Sequence, residues 1–127
     1  MTAIQGKRIL IVEDEFFIGV TAREMLEELG AIVIGPVATV SEALRLAAAD
    51  MDLALLDVNL HGHSSLIVAA KLAERNIPIV FATGYGNRDG RDSTGHYTLR
   101  KPYTQEKLAT LLCSALEEVT ARKASPS

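Results

Sequence analysis

Short apolar runs alternate with longer stretches of helical period along this chain. The runs cover residues 9–12, 32–34, 53–56 and 79–82 and consist almost entirely of aliphatic or aromatic side chains. Such runs are typical of strands that are buried on both faces of a parallel sheet. A more polar run at 96–99 suits a short fifth strand at a sheet edge. The pattern therefore predicts an α/β fold with a doubly wound, five-stranded parallel sheet.

Helical periods fill the intervals between these runs, and particular residues mark where the helices begin and end. Gly30 follows the first period as a left-handed C-terminal cap, and Gly35-Pro36 is expected to stop the second strand. Thr39 and Glu42 have the spacing of a capping box, so a second helix is expected to begin there. The last helix starts near Thr104 and carries the most regular apolar stripe.

The stretch from residue 85 to residue 95 breaks this pattern. It contains three glycines and almost no apolar residue. A helix there would lack an apolar face to bury, and each interior glycine would cost it about 1 kcal/mol. We therefore expect a mobile loop, or a fourth helix that is short or disordered. Residues 121–127 are expected to form a frayed C-terminal end.

Composition places the chain among single-domain globular proteins. It has 127 residues and a net charge of −3, so we expect one domain over residues 1–127 with its core at about 7–121. The acidic balance gives no basis for nucleic-acid binding, and no apolar stretch is long enough for a membrane span. The N-terminus lacks the apolar core of a signal peptide, and a single cysteine suits a reducing cytosol. We expect a cytoplasmic protein without nucleic-acid or membrane partners.

Polar residues at the carboxyl ends of the predicted strands carry the candidate chemistry. In chain order they are Glu13 and Asp14, then Asp57, Thr83 and Lys101. Parallel strands place these ends at one edge of the sheet, where α/β proteins bind ligands. If the first and third strands are neighbours, three carboxylates converge, and a positive group must offset their repulsion. Carboxylate oxygens in this arrangement indicate a Mg²⁺ site, and Lys101 supplies a second positive charge.

A carboxylate in such a site can attack a phosphoryl group and form an aspartyl phosphate. Phosphoryl transfer depends mainly on positioning and on neutralisation of charge. We expect Mg²⁺ to bridge Asp57 and one phosphoryl oxygen, while Lys101 and the Thr83 hydroxyl take the other two. Each residue alone has an ordinary interpretation, as a turn aspartate, an acidic first helical turn, a cap or a solvated lysine. Their joint occurrence at successive strand ends favours the phosphoacceptor interpretation.

Other candidate sites are weaker. His61 and His63 lie in one short loop without a cysteine partner, so we interpret them as surface residues rather than transition-metal ligands. The glycines after Thr83 form neither a P-loop nor a dinucleotide-binding motif. Cys113 lies on an apolar helix face and is expected to be inert.

At these residues the chain resembles the receiver domains of response regulators, the CheY-like family of two-component signalling. The resemblance covers nearly the whole chain. It places Asp57 at the phosphoacceptor position, Thr83 at the hydroxyl position and Lys101-Pro102 at the Lys-Pro motif. It implies a flavodoxin-like sheet in the order 2-1-3-4-5, in which the first and third strands are neighbours.

The resemblance implies further roles. Glu13 and Asp14 would bind Mg²⁺ together with Asp57, one of the pair through water, and Asn59 would add its backbone carbonyl. Gly84 would leave room for the phosphoryl group. The phosphoryl donor would be a phosphohistidine on a histidine kinase or on a phosphotransfer protein.

The chain departs from the family pattern at the expected switch. Receivers usually carry a Phe or Tyr three residues before the lysine, where this chain has Thr98. Residues 78–85 read Pro-Ile-Val-Phe-Ala-Thr-Gly-Tyr, which resembles the motif of the alphaproteobacterial FATGUY response regulators. That subgroup is often linked with HWE-type kinases. We therefore expect an altered switch that involves Gly84, Tyr85 and Thr98.

Three hypotheses about function follow. In the first, a stand-alone receiver accepts a phosphoryl group on Asp57 and either switches partner binding or drains phosphate from a kinase. It is not an enzyme in the usual sense, because it catalyses only its own phosphorylation and dephosphorylation. In the second, the chain is an interaction module that ignores phosphorylation. The third is a phosphatase, but such enzymes need a titratable acid two residues past the nucleophile, and Asn59 cannot titrate.

Overall fold

The computed structural model describes residues 3–84, 90–91 and 96–124, which contain four helices and eight strands. The helices are α1 (Phe16–Glu28), α2 (Val40–Leu46), α3 (Leu66–Glu74) and α4 (Gln105–Ala124). The strands are β1 (Arg8–Val12), β2 (Ile32–Val37), β3 (Leu53–Asp57), β4 (Asn59–Leu60), β5 (His63–Ser64), β6 (Ile79–Thr83), β7 (Gly90–Arg91) and β8 (Tyr97–Arg100).

Six of these strands form one sheet in the order β2-β1-β3-β6-β8-β7. Every pairing in it is parallel except that of β7 with β8. The predicted order 2-1-3-4-5 is confirmed, because β6 and β8 are the fourth and fifth strands of the sequence prediction. Strands β1 and β3 are neighbours, with Val12 opposite Leu56. This pairing places the residues that follow β1 next to the last residue of β3.

Alternating side chains of the central strands fill two cores, one on each face of the sheet. Ile9 and Ile11 of β1 pack in one core with residues of α1 and α4 such as Leu26 and Leu112. The side chain of Leu10 in β1 points to the opposite face of the sheet and packs in the other core with residues of α2 and α3. The first core also contains Ile4, which is fully buried and precedes the predicted core boundary at residue 7.

Strand β2 is longer than the sequence predicts, because it continues through Gly35-Pro36 to Val37. An edge strand tolerates proline, since one side of its backbone has no ladder partner. Gly35 adopts a left-handed conformation (φ +95°) beside an irregularity in the β1–β2 register. A Cβ atom at Gly35 would lie 2.7 Å from the Ile11 carbonyl oxygen, so only glycine allows the strand to pass this point.

The loop predicted at residues 61–63 is the turn of a short hairpin. Strands β4 and β5 pair antiparallel, with Leu60 opposite His63, and His61 and Gly62 form the turn with φ of +50° and +83°. Gly90–Arg91, which fell within the expected loop or helix, instead forms β7. Because β7 pairs with β8, the fifth predicted strand is not at the sheet edge, and that prediction is wrong. The rest of the 85–95 segment, including Tyr85, lies outside the described residues.

The helix boundaries follow the predicted caps. The Glu42 N–H donates to the Thr39 hydroxyl oxygen (3.1 Å), and the Lys107 N–H donates to that of Thr104 (3.2 Å). Gly30 has the expected left-handed φ of +89°. Helix α4 continues to Ala124, into the stretch expected to be frayed. Within the described ranges, no helix combines the length and apolar character that a membrane span requires.

Candidate phosphoacceptor site

Three carboxylates meet at the carboxyl edge of the sheet. Glu13 and Asp14 follow β1, and Asp57 is the last residue of β3. One oxygen atom from each carboxylate lies within 4.8 Å of the others. Glu13 and Asp57 are buried, while Asp14 is partly exposed. The convergence expected from the strand order is therefore present.

Lys101 reaches this cluster from the end of β8. Its Nζ atom lies 2.8 Å from Glu13 Oε1 and 3.0 Å from Asp57 Oδ2, and Glu15 Oε1 is 4.0 Å away. The side chain is only 10% exposed, so water screens these contacts weakly. One ammonium group thus serves two buried carboxylates, which leaves the cluster with an excess of negative charge.

Backbone amides hold the carboxylates in place. The Asn59 N–H donates to Asp57 Oδ1 (3.2 Å), and the Glu15 N–H donates to Glu13 Oε2 (3.1 Å). Asp57 therefore presents one oxygen to Lys101 and the other to the loop that follows β3. Hydrogen bonds from a backbone fix a carboxylate without the entropic cost of ordering a second side chain.

The β4–β5 hairpin forms the outer wall of the site. The His61 N–H donates to Asp14 Oδ2 (2.9 Å), and the His61 ring Nδ1 lies 3.6 Å from the same oxygen. The prediction of His61 as a surface residue agrees with its exposed side chain, but that prediction did not include this contact with Asp14. A signal was available, since a residue-plus-glycine pair between two short extended segments is typical of a two-residue hairpin turn.

Burial and hydrogen bonding shift the pKa values of the inner pair. Burial raises the pKa of Glu13 from 4.5 to about 7; the hydrogen bond from Lys101 opposes this rise, and Asp57 adds to it. Burial lowers the pKa of Lys101, but its bonds to Glu13 and Asp57 raise it by more, so its pKa lies above the ordinary value. The ammonium group therefore stays charged, while Glu13 binds a proton more readily than an exposed glutamate.

Asp14 shows the opposite shift to its neighbour. Burial raises its pKa, but the hydrogen bond from the His61 N–H and the contacts with Asp57 and Glu13 outweigh that effect. Its pKa therefore lies below the ordinary value of 3.8. The cluster acts at longer range too, because burial and then the charges of Glu13 and Asp57 raise the pKa of Tyr103.

Three further predicted residues lie on or next to β6 and β8, namely Thr83, Gly84 and Thr98. Thr83 ends β6, and its carbonyl accepts the Lys101 N–H (2.8 Å). Gly84 follows it, and a Cβ atom there would meet none of the described residues' atoms within 4 Å. Thr98 is half-buried and lies opposite Phe81 in the β6–β8 register. The structure thus brings Gly84 to open space beside the cluster and places Thr98 further down the sheet.

Comparison with known proteins shows which family this chain belongs to. A model of the response regulator receiver domain matches residues 9–112, which include the three carboxylates and Lys101. The chain belongs to the response regulator receiver family. Response regulators of this family act in two-component signalling, and structures of receiver domains share the fold described above.

Several known proteins resemble this chain over most of its length. The transcriptional regulatory protein PdtaR of Mycobacterium tuberculosis is 33% identical over 91% of this chain and 60% of its own length. The phyllosphere-induced regulator PhyR of Methylorubrum extorquens is 30% identical over 91% of this chain and 46% of its own length. The chain thus spans about half the length of the curated relatives it matches. The solution structure of SdrG from Sphingomonas melonis Fr1 is 42% identical, covers 92% of this chain and 99% of that chain, and has a TM-score of 0.73.

Receiver domains bind Mg²⁺ through acidic residues, and the cluster fits such an ion. Its ligands are hard oxygen atoms, which Mg²⁺ prefers. Three carboxylates converge here on a single buried ammonium group, so Lys101 alone does not balance their negative charge. The cluster opens into a cleft of about 450 Å³, which leaves room for water ligands and a phosphoryl group. Its lining is Asp14, Glu15, Asp57, Asn59, His61, Gly62, Gly84 and Lys101.

Proposed function

We propose that this receiver accepts a phosphoryl group on Asp57 in a Mg²⁺-dependent reaction. The donor is a phosphohistidine on a sensor histidine kinase, of HWE type, or on a phosphotransfer protein. The observation that carries this proposal is the position of the Lys101 ammonium between Glu13 Oε1 (2.8 Å) and Asp57 Oδ2 (3.0 Å), beside an open cleft. A buried aspartate with a cation at one oxygen and open space beside it can take on the negative charge of a phosphoryl group with little rearrangement of the site.

Asp57 is the nucleophile in this proposal. One of its carboxylate oxygens forms a bond to phosphorus while the bond between phosphorus and the donor imidazole nitrogen breaks. The imidazole leaves with that electron pair and takes a proton from solvent. Lys101 and the Asn59 N–H already hold the two carboxylate oxygens, so little reorganisation is needed before attack.

Mg²⁺ would be held by the carboxylates of Glu13, Asp14 and Asp57 and by the backbone carbonyl of Asn59. When bound, it supplies positive charge to the acidic cluster and to the phosphoryl oxygens. Asp14 suits this role because the hydrogen bond from the His61 N–H keeps its carboxylate ionised and oriented. Glu13 would have to release any proton that it carries near neutral pH.

Thr83 and Lys101 would bind the phosphoryl oxygens that remain. The Lys101 N–H donates to the Thr83 carbonyl, which keeps the two residues next to each other at this end of the sheet. Gly84 leaves space for the phosphoryl group. The switch would involve Gly84, Tyr85 and Thr98, in place of an aromatic residue at position 98.

The phosphorylated domain would act on other proteins rather than on a small-molecule substrate. It would change the binding of a downstream protein or serve as a phosphate sink for its kinase. We propose that it does so in the cytoplasm, without nucleic-acid or membrane partners, and that it catalyses only its own phosphorylation and dephosphorylation.

Phosphotransfer from a purified HWE-type kinase that carries a radiolabelled phosphohistidine tests this function. The label should pass to the wild-type receiver in the presence of Mg²⁺ and should not pass to Asp57→Asn. Asp50→Asn is the matched control, because Asp50 is exposed and contacts Arg8 away from the cleft. Equal labelling of wild type and Asp57→Asn would contradict the proposal.

A further inference from the structure

His61 places an imidazole at the mouth of the acidic cleft. Its backbone N–H donates to Asp14 Oδ2 (2.9 Å), and its ring Nδ1 lies 3.6 Å from that same oxygen. The ring is 62% exposed, so a hydrated ion that enters the cleft can reach it. The interpretation of His61 as a surface residue assigns this side chain no role in the chemistry of the site.

The hairpin fixes the backbone position of His61. His61 and Gly62 both adopt left-handed conformations, and the Gly62 N–H donates to Asn59 Oδ1 (2.8 Å). Leu60 is only 1% exposed and anchors the hairpin in the core. The ring therefore stands beside Asp14 because of a defined local fold, and rotation of the side chain is the main freedom that remains to it.

The separation of these two atoms suits ligands of a common ion. Two ligands at about 2.1 Å from an octahedral metal lie about 3.0 Å apart when adjacent and about 4.2 Å apart when opposite. The observed 3.6 Å falls between these limits, so the two atoms lie at a separation that is compatible with two ligands of one ion. Imidazole nitrogen is a poor ligand for Mg²⁺ and a good one for late first-row divalent metals such as Ni²⁺.

We propose that His61 is a specificity-determining ligand of the acidic site, which adds a nitrogen donor for late first-row divalent metal ions. The inference rests on the proposed Mg²⁺ site, since Asp14 is a shared ligand. A receiver with this histidine binds Ni²⁺ more tightly, relative to Mg²⁺, than its carboxylates alone would allow. The metal that fills the site in the cell then depends on metal availability as well as on the acidic cluster.

Calorimetric titrations of the full, untagged chain with Ni²⁺ and with Mg²⁺ test this proposal. His61→Asn removes the imidazole, while asparagine tolerates the left-handed backbone and retains the N–H to Asp14. It should lower Ni²⁺ affinity about tenfold or more and leave Mg²⁺ affinity within about twofold. His61→Gly should reproduce this result. His63→Asn, in the same hairpin, is the matched control and should change neither affinity.

The other outcomes separate this proposal from the proposed function. Unchanged Ni²⁺ affinity in His61→Asn, or an equal loss in His63→Asn, overturns the role of His61 and leaves the Mg²⁺ site standing. An equal loss of Mg²⁺ and Ni²⁺ affinity in His61→Asn also overturns it, because the residue would then support Asp14 without selecting the metal. If Asp14→Asn binds Mg²⁺ as tightly as the wild type, both the metal site and the proposal fail.

Discussion

The inner and outer sides of the acidic site are built differently, although Glu13 and Asp14 are adjacent in the sequence. On the inner side, Glu13 is 4% exposed and contacts the buried ammonium of Lys101. On the outer side, Asp14 is 16% exposed and is held by the N–H of His61 at the tip of a hairpin. The pKa of Glu13 is raised to about 7, whereas that of Asp14 is lowered.

Two adjacent residues at one strand end are thus stabilised by different interactions. The inner side depends on charge pairing within the chain, because its carboxylates have little contact with water. The outer side depends on backbone hydrogen bonding and remains open to solvent, and under the proposed function an ion and a phosphoryl donor would enter there. The following predictions test whether the two sides behave differently.

The largest effect is expected on the inner side, from loss of the ammonium group. Lys101→Met leaves Glu13 and Asp57 buried without their cation, and breaking a buried ion pair from one side costs about 3–5 kcal/mol. Urea denaturation without Mg²⁺ should show a loss at the lower end of that range, because Glu13 can bind a proton instead. Lys107→Met, at an exposed position of α4, is the matched control. Equal losses in the two variants would mean that the ammonium does not stabilise the inner side.

The second prediction concerns pH. The pKa of Glu13 is higher in the folded state, so its contribution to stability is complete below about pH 4.5 and is lost as the pH rises through about 7. That loss is at most about 3 kcal/mol. Free energies of unfolding measured against pH without Mg²⁺ should therefore fall less steeply across this range in Glu13→Gln than in the wild type.

Asp14→Asn extends this test. The pKa of Asp14 is lowered rather than raised, so its contribution to stability changes with pH in the opposite direction to that of Glu13. Its contribution is present above the ordinary pKa and is lost as the pH falls through the folded-state value. The pH profiles of the two variants should thus depart from the wild-type profile in opposite directions. Departures in the same direction would show that the two sides share one environment.

A third, smaller effect should come from Mg²⁺. An ion that binds only the folded state stabilises it by RT ln(1 + [Mg²⁺]/Kd), about 1.4 kcal/mol at ten times Kd. Thermal unfolding of the wild type should shift upward with millimolar Mg²⁺, and Asp14→Asn should lose most of this shift. Asp50→Asn should retain it. A wild-type melting temperature that does not change with Mg²⁺ would contradict the proposed metal site.

The smallest effect is expected at the outer hairpin. Gly62 has a φ of +83°, so Gly62→Ala should cost about 1 kcal/mol even though a Cβ atom there meets no neighbour. Gly84→Ala is the control, because its added Cβ also enters open space but without a left-handed backbone. Denaturant unfolding of both variants separates backbone strain at Gly62 from the general effect of replacing glycine with alanine. A stable Gly62→Ala would mean that the hairpin tolerates a different turn.

The sequence predicted the main sheet and the inner side because both follow from long-range regularities. Apolar runs of four or more residues mark buried strands, and the strand ends then place Glu13, Asp57 and Lys101 on one edge. The hairpin and β7 show no apolar run or period, because strands of two residues are too short for one and are held by backbone hydrogen bonds. Strand β2 passes Gly35-Pro36 because of a left-handed glycine, which propensity alone interprets as a stop.

The most direct test of the central claim is to locate the phosphoryl group chemically. The receiver is phosphorylated with acetyl phosphate and Mg²⁺, reduced with borohydride, which converts an aspartyl phosphate to homoserine, and sequenced by mass spectrometry. The account predicts homoserine at position 57 and none when Mg²⁺ is removed by a chelator. Homoserine at another aspartate, or none at position 57 with Mg²⁺ present, would contradict it.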